Sequence, residues 1–329
     1  FKEAISWTDI SSSYFGARYV PKGYIGGNTS PSIYPSEYIY FICGMMTSKV
    51  ADYFLKFLSP TLHNNVGDIT KLPIIIENKI EDKVEDIVRN NIEISRSDWD
   101  SFETSWDFKC HPFITMNKKL GESDSIIITK ISESFYLWKA YTDIAFEKLM
   151  HNEEELNRIF IDIYGLQEEL TPEVEDRDIT VRKADLSRDI RSFISYAVGC
   201  MFGRYSLNQD GLMFAGGNMK DIYAYYGGTF ADTANIRLDR KYAFGELGTP
   251  FYYLPVEGKE PPVCWKVDAN NVIPITDEEY FADDIVIRFA EFVKAVYGEE
   301  TLEENLEFIA GVLGNKSFSS REAIRNYFL

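Results

Sequence analysis

The sequence has few of the residues that hold metals or form disulfides. Its 329 residues include only four cysteines and three histidines. The cysteines lie far apart and form no CxxC pair, so the ligand spacing of a structural zinc site is missing. We interpret all four thiols as reduced residues that pack as small hydrophobic side chains. The composition therefore predicts neither a metal site nor a disulfide framework.

Long apolar runs are also lacking. No stretch approaches the roughly 20 apolar residues needed to cross a bilayer, and no signal peptide is recognisable. Hydrophobic residues still make up 45% of the chain and aromatic residues 15%, enough for two or more domains with cores of their own. We expect a soluble, cytoplasmic protein without a membrane partner.

Positive charge is scarce over most of the chain. Lys and Arg number 34 against 52 Asp and Glu, which gives a net charge of −18. Residues 1–80 are the exception, with seven basic and six acidic side chains, so the remaining residues carry −19. Because binding to phosphates needs clustered basic residues, only this first part is suited to nucleic acid. The acidic remainder is more typical of a scaffold or a protein-interaction surface.

The first part of the chain has the pattern of a small β-rich domain. Short β-branched and aromatic runs between Trp7 and Ile42 are separated by Gly and Pro, as is typical of strands and turns. Met45–Leu58 has helical spacing and must end before Pro60. After a polar loop, Ile69–Ile76 has the composition of a closing strand.

Helical patterns dominate the later part. An amphipathic stripe predicts a helix over Ile80–Ile92, and apolar residues three or four apart predict a long one over Ser132–Tyr164. Asp185 is suited to cap a buried helix that runs through Met201. Further helix starts are predicted at the capping boxes Thr276 with Glu279 and Thr301 with Glu304, and near Ser320.

Six segments carry a resemblance to a known family. Ser30–Ile76 contains SPSIYPSEYIYFICGMMTSKV and the following residues, and ISWTDISSSYFGARYVPKGYI precedes it. The others are SDWDSFETSWDFKCHP, NEEELNRIFIDIYGLQEEL, SYAVGCMFGRYSL and SREAIRNYFL. In this order they resemble the C-terminal portion, with target-recognition and C-terminal domains, of the PglX family, the large adenine-specific DNA methyltransferases of BREX phage-defence systems.

The resemblance implies an α+β architecture in three parts. Residues 1–78 are expected to form part of a small β-rich target-recognition domain, 79–170 a helical spacer and connector, and 171–329 a mostly α-helical C-terminal domain. An irregular insert rich in Gly and aromatic residues is expected near 207–271. The absence of Met at position 1 fits a piece of a longer polypeptide.

The sequence lacks the motifs that such an enzyme needs for catalysis. The family holds the flipped adenine with an Asn-Pro-Pro-Tyr/Phe motif, whereas the only adjacent prolines here, Pro261 and Pro262, are followed by Val263. No Gly-rich turn between a strand and a helix is suited to a nucleotide cofactor. We therefore predict no catalytic, cofactor-binding or metal-binding residues and no methyl transfer by this chain alone. S-adenosylmethionine is expected in a catalytic domain outside this sequence.

The candidates for DNA contact are basic and amide side chains within residues 1–80, since these reach phosphates and base edges. They are Arg18, Lys22, Asn28, Lys49, Lys56, Asn64, Asn65 and Lys71. The resemblance locates the domain but does not identify its base readers. The partners expected are double-stranded DNA, the methyltransferase domain of the same polypeptide and other BREX proteins.

Two other interpretations stay open. In the first, the chain is a protein-interaction module that assembles a defence complex without reading DNA, and its acidic helices recruit the partners. In the second, Asp107-Phe108-Lys109 with Asp98, Asp100 or Glu103 upstream supplies the carboxylates and lysine of a metal-dependent nuclease. The nuclease match is loose, and aromatic packing by Trp99 and its neighbours explains the same segment more simply.

Overall fold

A computed structural model describes residues 2–11, 14–27, 29–59, 61–116, 128–207, 210–212, 272–314 and 319–329, together with the backbone of 237–238 and 242–243. The chain divides into two compact units. The first consists of Phe1–Asp98 and Ile144–Arg182, and the second of Trp99–Asp143 and Lys183–Leu329. Among the described residues, no helix combines the length and the apolar character needed to cross a membrane.

The first unit starts with a small antiparallel sheet in the order β2–β1–β3. The strands are β1 (Ala4–Trp7), β2 (Ala17–Val20) and β3 (Ser32–Ile33). The helices are α1 (Ile39–Thr47), α2 (Lys49–Leu58), the single turn α3 (Val66–Ile69), α4 (Glu81–Trp99) and the later part of α5 (Ile131–Tyr164). The fold is therefore mixed and mostly helical, with a small sheet near its start.

Two predictions for the first unit need correction. The helix predicted over Met45–Leu58 is two helices, because Ser48 is extended and its hydroxyl donates to the Met45 carbonyl at 2.7 Å. The strand predicted over Ile69–Ile76 is wrong. Residues 70–76 form turns and irregular backbone, and the Ile75 amide donates to the hydroxyl of Tyr164 rather than to a neighbouring strand.

The core of the first unit is built where α1 crosses the other helices. Phe41 and Phe160 are fully buried and meet edge to face, with ring centroids 5.4 Å apart. Gly44 lets α1 approach α4 closely, since a Cβ at this position would lie 2.8 Å from Cγ2 of Val88. The buried side chain of Asn152 donates to the side-chain oxygens of two asparagines at the facing turn of α4. This combination fixes the helices against the sheet-bearing part of the unit.

The second unit is helical in its described part, apart from one pair of two-residue strands. Its elements are the first part of α5, α6 (Leu186–Met201), β4 (Arg237–Leu238), β5 (Tyr242–Ala243), α7 (Ile285–Tyr297), α8 (Leu302–Leu313) and α9 (Ser320–Phe328). Its core is aromatic, with Phe193, Phe289 and Phe292 fully buried. Most of the insert predicted near 207–271 lies outside the described residues.

The helix starts of the second unit were predicted with mixed success. Asp185 caps α6 as predicted, and its carboxylate accepts from the Arg188 amide at 2.7 Å. The helix predicted from Thr276 begins only after Asp284, whose carboxylate accepts from the Val286 amide. Thr301 precedes α8 as predicted, but its hydroxyl donates to a distant carbonyl instead of closing a capping box.

Candidate nucleic-acid interface

Strand β2 exposes one basic residue, Arg18, which lies beside the buried Ser6 of β1. Ile5 and Trp7 of β1 are fully buried on the core side, and Ser6 between them faces the other way. Ser6 is paired in register with Arg18 of β2. Because directly paired residues project on the same side of a sheet, Arg18 lies on the side away from the core, and its guanidinium donates to the Ser30 hydroxyl at 3.2 Å.

Asn64 forms hydrogen bonds within the chain through its backbone and its side chain. Its backbone carbonyl accepts from the indole nitrogen of Trp7 at 2.7 Å, and its backbone amide donates to the Asp9 carbonyl at 2.7 Å. Its side-chain amide donates to the Thr8 carbonyl at 3.3 Å. These bonds tie the loop before α3 to the end of β1. The side-chain oxygen of Asn64 is the part of it that suits contact with a ligand.

Three of the candidate lysines are engaged within the chain. Lys56 pairs with Asp52 at 3.0 Å, one helical turn away, and Lys71 pairs with Asp68 at 2.9 Å. The Lys71 ammonium also lowers the pKa of the Asp68 carboxyl. Lys49 donates its ammonium to the carbonyl of Glu173 and its backbone amide to a side chain of α5. The three ammonium groups have different partners and do not converge on one site.

Two of the remaining candidates, Lys22 and Asn65, are exposed. Lys22 lies in the loop after β2, and Asn65 precedes α3 with no side-chain capping bond. Asn28 lies outside the described residues. The structure therefore brings Arg18 close to Ser30 and places Lys22 four residues further along the chain, in the loop that follows β2. It does not gather the seven described candidates around one centre.

Sequence reasoning missed a stronger signal in this region. Residues 10–36 contain Arg18 and Lys22 but no Asp or Glu, although 52 of the 329 residues are acidic. The same stretch presents large exposed side chains, namely Tyr14, Tyr24, Ile25 and Tyr34. The long gap between Asp9 and Glu37 is visible in the sequence and could have been found there. This carboxylate-free stretch is the part of the described chain best suited to an anionic partner.

The acidic segment near Asp98 is organised as a fixed loop. Asp98 accepts two hydrogen bonds from the Arg182 guanidinium, and Asp100 accepts one from the Ser105 hydroxyl at 2.6 Å. Trp106 at the end of this loop is 100% exposed. Two of the carboxylates considered for a nuclease, Asp98 and Asp100, are thus held by protein groups. No cluster of three or more potential ligands suited to a metal occurs among the described residues.

Two buried titratable groups in these units are held in their neutral forms. Burial raises the pKa of the Cys43 thiol to about 12. Burial also lowers the pKa of His111 to about 3, although a hydrogen bond with the backbone of Asp189 opposes the change. At neutral pH the thiol is protonated and the imidazole uncharged. Both side chains therefore act as parts of the apolar core.

Comparison with known proteins gives two relatives and no matching family model. The chain is 36% identical over 340 residues to the adenine-specific methyltransferase PglX of Lacticaseibacillus casei (strain Zhang). This alignment covers 99% of this chain and 24% of that protein. It is 30% identical over 352 residues to the adenine-specific methyltransferase BrxX of Escherichia coli O9:H4 (strain HS). This alignment covers 99% of this chain and 25% of that protein. The chain thus spans about a quarter of the length of these curated relatives, and over nearly all of its own length it is similar to part of an adenine-specific methyltransferase.

Proposed function

We propose that this chain is the DNA-recognition and scaffold portion, from the C-terminal part, of an adenine-N6 DNA methyltransferase of a BREX-type phage-defence system. Residues 1–78 form part of the target-recognition domain, 79–170 the spacer and connector, and 171–329 the C-terminal domain. The catalytic domain, with its S-adenosylmethionine and adenine-binding motif, lies outside this sequence. By itself the chain transfers no methyl group.

The observation that supports DNA recognition is the carboxylate-free stretch 10–36. In a chain with a net charge of −18, this stretch of 27 residues contains two exposed cations and no Asp or Glu. Phosphates attract Arg and Lys, and a neighbouring carboxylate would weaken that attraction. Exposed tyrosines beside the cations offer stacking surfaces and hydroxyl donors to a nucleic acid.

The helices of the first unit support the scaffold part of the proposal. Residues 79–98 and 144–182 belong to the same compact unit as residues 1–78. Lys83 of α4 pairs with Glu155 of α5 at 2.6 Å, and both helices bury apolar residues against α1. The spacer helices therefore hold the small sheet in a fixed orientation. A recognition surface needs this because base contacts depend on the protein's register on the duplex.

The test is an exchange of specificity in the intact parent gene. Trp7–Ile76 is replaced with the equivalent segment of a relative that methylates a different sequence, and N6-methyladenine is mapped by long-read sequencing of the host genome. The proposal expects a changed methylated motif. The matched control exchanges Ser320–Phe328, which is expected to leave the motif as it was. An unchanged motif with methylation intact after the first exchange would overturn the recognition role.

A second candidate function is a protein-interaction module that does not read DNA. The observation that favours it is Trp106, which is fully exposed although its loop is fixed by the bonds of Ser105. Asp100, Glu103 and Asp107 surround this tryptophan in the sequence, so its setting repels phosphates and suits a basic protein surface.

Duplex binding measured at rising salt separates the two functions. DNA recognition predicts a preferred sequence that survives competitor DNA, because base contacts add to the salt-dependent phosphate term. An interaction module predicts only weak binding that salt abolishes for every sequence. Trp106→Ala is the informative variant. It is expected to leave DNA binding unchanged under the first function while removing protein assembly under the second.

A further inference from the structure

The loop between β2 and β3 contains two adjacent apolar residues that are exposed to solvent. Ile25 is 80% exposed and Tyr24 is 59% exposed. Exposing a tyrosine and an isoleucine side by side leaves a large apolar area in water. Single exposed apolar residues are common on protein surfaces, whereas an adjacent exposed pair in a loop between two strands is an arrangement suited to a side-chain wedge.

The limbs of this loop are fixed, so the tip has a defined position. On one side, Val20 is paired with Ala4 in the sheet. On the other, the Ser30 amide donates to the Gly27 carbonyl at 3.0 Å, and the Ser30 hydroxyl accepts from Arg18. A loop held at both limbs loses less conformational entropy on binding than a free one.

Glycines on either side of the pair are required by the shape of the tip. Gly23 has a φ of +102°, a conformation that residues with a Cβ rarely adopt. A Cβ at Gly26 would lie 3.3 Å from the Ser30 carbonyl oxygen and 3.3 Å from the Ser32 hydroxyl. The backbone thus turns sharply before Tyr24 and packs closely after Ile25. Tyr24 and Ile25 are the two large exposed side chains between these glycines.

Charge indicates what kind of partner receives the pair. Lys22 lies two residues before Tyr24, Arg18 lies at the root of the same limb, and no carboxylate occurs between residues 10 and 36. Apolar side chains flanked by cations match a surface in which anions border a stack of flat apolar groups. Duplex DNA has this arrangement, with phosphates beside stacked bases, and proteins do insert Ile, Leu or aromatic wedges between its base steps.

We propose that Tyr24 and Ile25 form a wedge that inserts between base pairs of duplex DNA while Lys22 and Arg18 contact the flanking phosphates. This inference rests on the proposed function, because it assumes that the first unit binds duplex DNA. It adds a specific element and a specific deformation of the DNA. The unstacking that the wedge causes is greatest at flexible pyrimidine–purine steps, so the wedge contributes sequence preference without hydrogen bonds to bases.

The test uses the purified full chain and a duplex library with a randomised core. Bound duplexes are recovered by selection, and binding is measured with the recovered pool. Permanganate is then added, because it oxidises thymines that have lost stacking and spares those in a regular duplex. The wild-type chain is expected to bind and to produce permanganate-reactive thymines at a fixed position. Tyr24→Ala and Ile25→Ala are each expected to abolish this reactivity and to weaken binding about tenfold, as for loss of a stacking contact.

Tyr280→Ala is the matched control, since Tyr280 is 61% exposed but lies outside residues 10–36, in the non-helical segment before α7. It is expected to keep the thymine reactivity of the wild type. Ile25→Leu is also expected to keep it, because leucine is an apolar side chain of the same size as isoleucine. Binding without reactive thymines in the wild type would overturn the wedge and leave DNA recognition standing. Failure of the wild-type chain to bind any duplex would count against both, and would favour a protein partner for the exposed pair.

Discussion

Arg325 and Asp284 form a buried, two-pronged ion pair. The two guanidinium nitrogens of Arg325 lie 2.8 and 3.0 Å from the carboxylate oxygens of Asp284, and the side chains are almost completely inaccessible to solvent. Burial opposes the charge on Asp284, but the bonds from Arg325, the Val286 amide and Thr276 outweigh it and lower the pKa of the carboxyl. The last helix is thereby joined to the start of α7.

Removal of one partner of this pair should destabilise the second unit strongly. Arg325→Met leaves the Asp284 carboxylate buried without its counter-charge, which costs about 3–5 kcal/mol of unfolding free energy. Arg321→Met is the control, because Arg321 pairs with Glu303 at the surface and such pairs contribute less than about 1 kcal/mol. Urea denaturation of the full chain measures both. Equal effects of the two variants would contradict the structural role of the buried pair.

Gly44 should be intolerant of a methyl group. Gly44→Ala places a Cβ 2.8 Å from one methyl of Val88 and 3.3 Å from Val84, so α1 and α4 must separate at a cost of about 1–3 kcal/mol. Val88→Ala makes room and should recover part of the loss in the double variant. Gly311→Ala is the matched control in α8, where the Cβ meets open space. It should be neutral or stabilising by up to about 1 kcal/mol. Midpoints of urea unfolding decide between these outcomes.

Glu153 should make the first unit less stable as pH rises toward neutrality. Burial and the nearby charge of Asp178 raise the pKa of its carboxyl from 4.5 to about 7. Between these values the folded chain binds a proton that the unfolded chain has lost, so stability is full below pH 4.5 and falls as pH passes through 7. The loss is at most about 3 kcal/mol.

Glu153→Gln removes this titration and should be more stable than the wild type at pH 8, with a smaller difference at pH 4.5. Unfolding free energies measured at the two pH values give the answer. Glu147→Gln on the exposed side of α5 is the control. A variant that keeps the full pH dependence of the wild type would show that another group causes it.

The longest helix was predictable because its signals are local, whereas α4 continues seven residues beyond the predicted end at Ile92. The pattern over Ser132–Tyr164 differs from the observed helix by one residue at its start, and Asp185 caps α6 through a bond to its own third neighbour. The strand predicted over Ile69–Ile76 failed for the opposite reason. Its β-branched residues suit a strand, but the contact that fixes this segment comes from Tyr164, 89 residues away from Ile75. Distant partners of this kind leave no local pattern.

The same distinction applies to the candidate DNA contacts. The ion pairs of Lys56 and Lys71 follow from spacings of four and three residues and can be anticipated from the sequence. The bond from Lys49 to Glu173 joins residues 124 positions apart and cannot. Residue type identified the possible DNA ligands, whereas the folded chain determines which of them already have intramolecular partners.

Because Lys56 and Lys71 form ion pairs within the chain, we expect them to contribute less to duplex binding than Lys22 and Arg18. Lys22→Ala and Arg18→Ala should each weaken duplex binding at every sequence and reduce the slope of log affinity against log salt by about 1, because each removes one phosphate contact. Lys56→Ala and Lys71→Ala should leave both quantities nearly unchanged, since these ammonium groups pair with Asp52 and Asp68. Fluorescence anisotropy with a labelled duplex over a salt series measures affinity and slope together. If Lys56→Ala reduced the slope as much as Lys22→Ala, the DNA would run along α2, and the loop between β2 and β3 would not be the contact surface.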